Sequence, residues 1–439
     1  MVRLRHRPFS RIEETTRKAV RLVDEDTGII RLLHEAPIPP DAPKIFGCGS
    51  LCSDYGDMGH PADNPISGST SLIRDQAIVG AIGEAVERYS AAFVPYDQIT
   101  VRPYSSITSD AIAPWSLTLY EDEQYQNADF GYSRVRPDDP IGWVSGHSLT
   151  RGTDVLVPAF SVYQPYVSLA DEPPIIQQIT TGLACGNSME EAVLAAVCEV
   201  VERDAAMLMW LQRRCPPHFV PEFDEASPVS AIFRSFGNLQ KYVTLLDITT
   251  DFSIPAYVAV WDGPINNEYG AIFASCAKQS PTKAAVGALS ELAQCLLWAG
   301  SLIDNHKRLP DPSAEKLSRI EEHVLWPLRP TTRPVFEFAL SSKKKIFFAD
   351  QPEFNTPDVL EEIERCVHSI AAQGLEVIVV DVTSPDVLEV GLHVVRAIIP
   401  GSQPLFFGSG LHRISDRARR NEYSDRADMQ INLHPHPFP

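Results

Sequence analysis

Ala192-Val-Leu-Ala-Ala-Val-Cys-Glu199-Val-Val-Glu202-Arg203 is the stretch on which the reading of this chain turns. Two other stretches repeat it. Ala77-Ile-Val-Gly80-Ala81-Ile-Gly-Glu84-Ala-Val-Glu87-Arg88 lies upstream, and Ala284-Ala-Val-Gly287-Ala288-Leu-Ser-Glu291-Leu-Ala-Gln294 downstream. The common pattern is A-x-x-[GA]-A-x-x-E-x-x-[EQ]. Residues three and four apart share one face of a helix. Glu84, Glu199 and Glu291 therefore each project from a stripe of alanine and glycine. Val193, Val197 and Val201, or Ile78, Ile82 and Val86, face the core.

Structure alone offers two explanations of one such helix. Glu and Arg at i, i+4 form a solvated ion pair worth a few tenths of a kcal/mol. Small residues also mark close packing of a neighbour. A functional explanation covers all three helices at once. Five acids (Glu84, Glu87, Glu199, Glu202, Glu291) brought together repel one another, and divalent cations remove that repulsion. Oxygen-only ligands favour Mg²⁺, which is commonly held by carboxylates together with substrate phosphates. Arg88 and Arg203 are then placed to meet phosphate oxygens.

Around these helices the chain alternates helix and strand signals, which predicts an α/β or α+β class with covered sheets. A basic amphipathic helix and a short strand open the chain. Residues 36–68 are rich in Pro, Gly, Asp and Ser and read as loop. Helices are expected over about Leu72–Phe93, Met189–Gln212, Pro281–Leu302 and Asp358–Gly374, with an extended connection over 305–350. The chain has 439 residues, 44% of them hydrophobic and 22% charged, so it can bury a sizeable core without disulfides. The net charge of −19 argues against a nucleic-acid backbone as partner. No uninterrupted apolar run approaches 18 residues, so no membrane span is expected. No pair among the eight cysteines has C-x-x-C spacing. Reduced, packed thiols and a cytoplasmic location are the expectation.

The repeated motif, together with Thr181-Gly182-Leu183-Ala184-Cys185-Gly186-Asn187-Ser188-Met189-Glu190-Glu191-Ala192, resembles the YcaO family of ATP-using enzymes that modify peptide backbones. The resemblance runs from about Ser67 to Pro439. It implies a YcaO domain over 67–439, preceded by a lead-in segment and loop over 1–66, with three similar helices around an ATP/Mg²⁺ cavity. Glu84, Glu87, Glu199, Glu202 and Glu291 match the family's metal-site acids. Asn187, Glu191 and Arg203 match positions that contact the nucleotide, and Gln294 matches a glutamine lining the same cavity. Two departures remove positive charge: Ser69-Thr70-Ser71 stands where many members carry Gly-Lys-Gly, and Gly287 where they carry arginine. Lys283 is the expected replacement cation, ahead of Arg74 and Lys278.

The chain closes on Pro435-His436-Pro437-Phe438-Pro439. A P-x-P-x-P ending resembles the azoline-forming cyclodehydratases of thiazole/oxazole-modified peptide biosynthesis. In that subfamily the tail is implied to enter the active site and present its terminal carboxylate. Stiff proline-rich backbone threads into a cavity at low entropic cost. The implied reaction is ATP-dependent cyclodehydration of Cys (or Ser/Thr) in a ribosomal precursor peptide. Implied with it are a separate ThiF-like leader-binding partner and, at family level, a homodimer. The base is expected to be the Pro439 carboxylate or a tail histidine, His434 or His436. Thioamide or amidine formation, and a non-catalytic scaffold subunit, are the alternatives.

Overall fold

The computed structural model describes residues 2–40, 42–53, 66–169, 171–265, 268–305, 317, 319–354, 356–414 and 431–439. The first part runs α1 (Ile12–Ala19), β1 (Ile30–Glu35), β2 (Phe46–Cys52), β3 (Ile66–Ser71), α2 (Arg74–Ala92), β4 (Thr100–Pro103), α3 (Asp122–Gln126), β5 (Pro140–Ser148), β6 (Thr153–Pro158) and β7 (Leu183–Gly186). Then come α4 (Met189–Leu211), β8 (His218–Phe219), α5 (Pro228–Ser235), β9 (Val243–Asp247), β10 (Ala256–Ile265), β11 (Glu268–Ala277) and α6 (Pro281–Asp304). The chain finishes with α7 (Ile320–Leu325), α8 (Arg333–Leu340), β12 (Lys345–Ile346), α9 (Val359–Ala371), β13 (Ile378–Asp381), α10 (Pro385–Glu389) and β14 (His393–Ile398).

Among the described residues these strands form three sheets. The orders are β1-β2-β3, β4-β5-β13-β14-β7 with β6 also on β5, and β11-β10-β9-β8-β12. Every pairing is antiparallel except β12 with β8. Such sheets with helices packed across them make the class α+β.

The three motif helices join the sheets in a ring. Helix α2 packs on β2 and β3 and also on β7; α4 packs on β7 and β14 and also on β11; α6 packs on β10 and β11 and also on β3. Each motif helix follows its own strand after a short connection: β3 to α2, β7 to α4, β11 to α6. The threefold repeat in the sequence is thus a strand–helix repeat in space. It also explains the small-residue stripe. A Cβ on Gly80 would lie 2.3 Å from Ser69 Oγ of β3, and one on Gly287 2.4 Å from Cys276 Sγ of β11. A Cβ on Gly186 of β7 would lie 2.3 Å from the Ala192 nitrogen of α4. In each unit the strand lies close against its own helix, and only small residues leave room. The stripe is therefore packing, and the acids project past it.

Two local expectations are corrected. Residues 46–52 form a strand, not loop, because β2 pairs with β3 (Gly47 with Thr70, Cys48 with Ser69). Residues 54–65 of that expected loop lie outside the described residues. Strands β1 and β2 of the lead-in pair with each other, and β2 with β3, to complete the first sheet. The expected connection over 305–350 contains α7 and α8, whose Val324, Leu325, Phe336 and Ala339 are buried. Among the described residues one helix, α6, is long and apolar enough by length and composition to cross a membrane. Its Ala284, Ala288, Leu289 and Leu292 are fully buried in the protein core.

Candidate active site

The acids face one another where the three strand–helix units meet. Glu84 Oε2 accepts the Gly68 N–H at 3.0 Å, and its Oε1 meets Arg88 Nη2 at 2.6 Å. Glu87 Oε1 accepts the Cys185 N–H at 2.9 Å. Glu202 accepts the Ser275 hydroxyl at 2.9 Å and the Ala277 N–H at 3.2 Å. Each helix therefore reaches into the neighbouring unit's strand. Gln294 does the same, donating to Gly68 O at 3.0 Å.

Burial first, and then the charge of Glu199, holds the Glu87 carboxyl well above the usual range. Burial raises Glu199 to about 7, and the Glu202 charge adds to it against Arg203. Glu291 is raised too, by burial and then by Glu202. Arg203 shifts the other way: burial works against its charge, but Glu202, Glu291 and Glu199 outweigh it and raise its pKa. This is a mutually repelling acid cluster with one arginine in its midst.

Among the described residues no three His, Cys, Asp or Glu side chains converge on a single ion position. The carboxylates instead turn toward backbone donors. An all-oxygen donor set spread over five acids suits Mg²⁺ ions shared with phosphate oxygens better than a closed protein cage. Other polar atoms point to a ligand. Asn187 is 5% exposed, yet both polar atoms of its amide lack a partner, as do Ser67 Oγ and Arg203 Nε. Buried amides without partners are rare, and a nucleotide would satisfy them.

The elevated carboxyls set a pH dependence. In the metal-free fold their pKa values lie above those of the unfolded chain, so the folded state binds more protons as the acids titrate. Stability therefore falls as pH rises from about 4.5 through about 7. Mg²⁺ counters the charge that develops. We expect Mg²⁺ to raise the melting temperature more at pH 8 than at pH 6, which differential scanning fluorimetry measures directly.

Several expected contacts are corrected. Lys283 does not reach the acids. Its Nζ pairs with Glu362 of α9 at 3.2 Å and lies 4.3 Å from the Phe9 ring centre. Arg74 pairs with Glu35. Arg88 is paired with Glu84 one turn earlier in its own helix, both side chains half-buried. Glu191 is engaged by backbone donors, Ser10 N–H at 2.5 Å and Asn187 N–H at 3.1 Å. Glu191 is taken in this way because residues 5–10 of the lead-in lie along the start of α4, where Arg5 N and Arg7 Nη1 also bind Glu190.

Of the three candidate replacement cations, the one that couples to the acids is Lys278. Burial works against its charge, but Cys276, Cys198, Glu202 and Glu199 outweigh it and raise its pKa. It sits just after β11 and, with Arg74, stood behind Lys283 in the expectation from sequence. Lys278→Met is expected to weaken ATP·Mg²⁺ binding about tenfold, the scale of one charge-assisted contact. Lys283→Met is expected to leave it within twofold. Isothermal titration of both variants checks the pair.

The tail runs into the same region. Pro435, His436, Pro437 and Phe438 are buried, and the Pro439 backbone oxygen accepts from Arg203 Nη1 at 3.5 Å. His323 of α7 donates from Nδ1 to His436 O at 2.8 Å, and its Nε2 accepts the Gly408 N–H at 3.1 Å. His436 Nε2 donates to Phe406 O, and its Nδ1 accepts the Phe438 N–H at 3.3 Å. Both rings are thereby fixed as neutral tautomers. The expectation of His436 as a base is corrected, since both of its nitrogens hold the tail in place.

Three strand–helix units that bring together a buried acid cluster, with an unsatisfied asparagine amide just before α4, suit a nucleotide–Mg²⁺ site built without a P-loop. The family model described as YcaO cyclodehydratase, ATP- and Mg²⁺-binding, matches residues 70–403. The chain belongs to the YcaO cyclodehydratase family, with ATP and Mg²⁺ as its cofactors. A heterocyclase solved in complex with substrate and cofactor is similar at 24% identity and a TM-score of 0.80, covering 100% of this chain. This chain spans 59% of that heterocyclase's length. YcaO from Methanopyrus kandleri, solved with AMPPCP and Mg²⁺, is similar at 23% identity and a TM-score of 0.64, with 90% of this chain and 92% of that one covered. The E. coli microcin synthetase McbBCD complex with pro-MccB17 bound contains a chain similar at 16% identity and a TM-score of 0.60, with 93% of this chain and 96% of that one covered.

Proposed function

We propose that this chain is an azoline-forming cyclodehydratase acting on Cys, or Ser/Thr, of a ribosomal precursor peptide. A substrate thiol or hydroxyl attacks the preceding amide carbonyl carbon. The resulting oxyanion takes the γ-phosphoryl group of ATP, giving ADP. The attack itself closes the five-membered ring with release of the thiol or hydroxyl proton, and loss of phosphate and of the amide proton then forms the C=N bond of the azoline. The chain's own residues position reactants and balance charge. Glu84, Glu87, Glu199, Glu202 and Glu291 hold Mg²⁺. Arg203 and Lys278 offset phosphate charge, and the Asn187 amide bonds the nucleotide. The tail, seated by His323, brings residues 437–439 to Arg203. The single observation that carries the reading is that seating: a buried P-x-P-x-P segment ends on the arginine at the centre of the acid cluster.

A separate ThiF-like leader-binding partner is part of the proposal, as are a cytoplasmic location and homodimer formation. The McbBCD assembly with its bound pro-peptide supports the idea of partner subunits and a peptide substrate. The test incubates the protein with ATP, Mg²⁺, candidate precursors and partner, followed by mass spectrometry. Peptide-dependent phosphate release with loss of one water per modified residue is expected. Exchange of oxygen for sulfur in the presence of sulfide would move the reading to thioamide formation. Absence of ATP binding under all conditions would favour a scaffold.

A further inference from the structure

A cavity of mixed lining lies behind α4, with Thr118, Ser161, Gln177, Val200, Arg396 and Arg413 among the residues that face it. Its volume is about 70 Å³, several times the ~10–15 Å³ that one water needs on that measure. Arg396 and Arg413 are 6% and 5% exposed. Arg396 is clamped by three carbonyls: Nε to Ser161 O at 3.1 Å, Nη1 to Thr180 O and Nη2 to Ile179 O, both at 2.8 Å. Arg413 makes one such bond, Nε to Thr118 O at 2.7 Å. Its two Nη groups have no partner among the described residues.

The lining includes no carboxylate. The side chains of Thr118, Ser161 and Gln177 are bonded elsewhere, to Ser402 O, Pro158 O and Phe407 O. The groups that act on Arg396 are Glu199 and Arg413; those on Arg413 are the neutral phenols of Tyr120, Tyr125 and Tyr132. Burial pushes both guanidinium pKa values down, Arg396 to about 10, and the charge of Arg413 adds to the shift at Arg396. Among the described residues Glu199 is the carboxylate that acts on Arg396, and none lines the cavity, so two buried cations face it with no carboxylate in its wall. A carboxylate would offset one of them. A phosphate dianion would offset both and would offer oxygens to the free Nη donors.

We propose that this cavity binds a phosphate group through Arg413 and Arg396. Val200 of α4, the residue next to Glu199, lines the cavity, so the cavity adjoins the acid-bearing helix. Free phosphate released by the reaction is one source, and that clause alone rests on the function proposed above. The terminal phosphate of a nucleotide is the other.

The test uses the full chain in EDTA, where the metal-free acid cluster repels anions. Inorganic phosphate is titrated while melting temperature and ³¹P linewidth are followed, with acetate and ADP in parallel. A saturable phosphate response is expected that acetate does not match. Arg413→Met is expected to weaken it at least tenfold and Arg413→Lys by less. Circular dichroism and the response to Mg²⁺·ATP show that the variants fold, and Arg413→Lys decides if Arg413→Met does not. An ADP response lost in the Arg413 variant supports the site and assigns the nucleotide as source. An ADP response that survives supports free phosphate. The proposal is overturned if wild type gives no saturable response, if acetate equals phosphate, or if the Arg413 variants respond as wild type does. Failure of precursor cyclisation with phosphate binding intact would remove the reaction as source and leave the site standing.

Discussion

Glu199→Gln is expected to stabilise the metal-free protein and to abolish its nucleotide chemistry. Glutamine keeps the shape and removes the charge. The Glu199 carboxyl titrates at about 7 in the fold, against an unfolded value near 4.5. At pH 5 it is already neutral, so the substitution changes little. At pH 8 the wild-type group is charged beside Glu87, Glu202 and Glu291, and removing that charge contributes on the order of 1–2 kcal/mol once water in the site is allowed for. The melting temperature of the variant should exceed that of wild type by a few degrees at pH 8 and match it at pH 5. Phosphate release should fall about 10²–10³-fold, the usual scale for losing one electrostatic partner of a transition state. Acids kept for structural ion pairing would behave oppositely, with stability lost on neutralisation. A variant less stable than wild type at pH 8, with activity retained, would sink the metal-site reading.

The second large effect is expected at His323. Its Nδ1–H holds the carbonyl of His436, and the Gly408 N–H occupies its other nitrogen. His323→Ala removes the bond that seats the tail and opens a hole beside His436 and Phe407. We expect kcat for peptide modification to drop at least 10²-fold while ATP affinity stays within threefold. His323→Asn, which keeps a donor at the δ position, should recover part of the loss. Seating can be read optically, because Trp210 Nε1 donates to His434 O at 2.9 Å and the Trp326 ring lies 6.4 Å from that of His434.

Acid should mimic the substitution. Burial holds His323 down to about 4, and burial and then the neighbouring His323 hold His436 well below its usual range. Both are neutral in the fold, so the unfolded or unseated chain binds more protons below about 6.5. Seating therefore weakens as pH falls from about 6.5 toward 4. A tryptophan signal that changes over that window in wild type, and is already changed at pH 7.5 in His323→Ala, is the expected result. A flat signal, or equal losses of kcat and ATP affinity, would show that His323 only supports the fold. Phe438 sets the background for any truncation: it is fully buried, 6.0 Å from Phe273 between ring centres. Phe438→Ala should cost about 3–5 kcal/mol of stability.

Sequence periodicity was enough to find the three helices, their core faces and their acids, because helical spacing is local and Glu on an alanine stripe is rare. It was enough to separate Glu84, Glu199 and Glu291 from ordinary surface acids. The strand halves of the repeat were hidden. Ser69, Gly186 and Cys276 share no pattern, since the only demand on them is to lie close to a small residue of their own helix. Residues 46–52 read as loop because Gly-Cys-Gly-Ser lacks β-branched side chains, and pairing with β3 overrode propensity.

Charge partners were the least legible. Lys283, Arg88 and Glu191 carry suitable residue types at suitable spacing, yet each is claimed by a group distant in sequence or one turn away: Glu362, Glu84 and Ser10. Lys278 lies near the acids only because β11 ends beside α4. His323, Arg396 and Arg413 belong to no pattern with the residues they serve. The sequence by itself determined the fold family, the acids and the tail, which rest on local spacing. Tertiary structure decided which cations face those acids and what holds the tail, because a charge is assigned by distance and burial, and both are set by chain segments far apart in sequence.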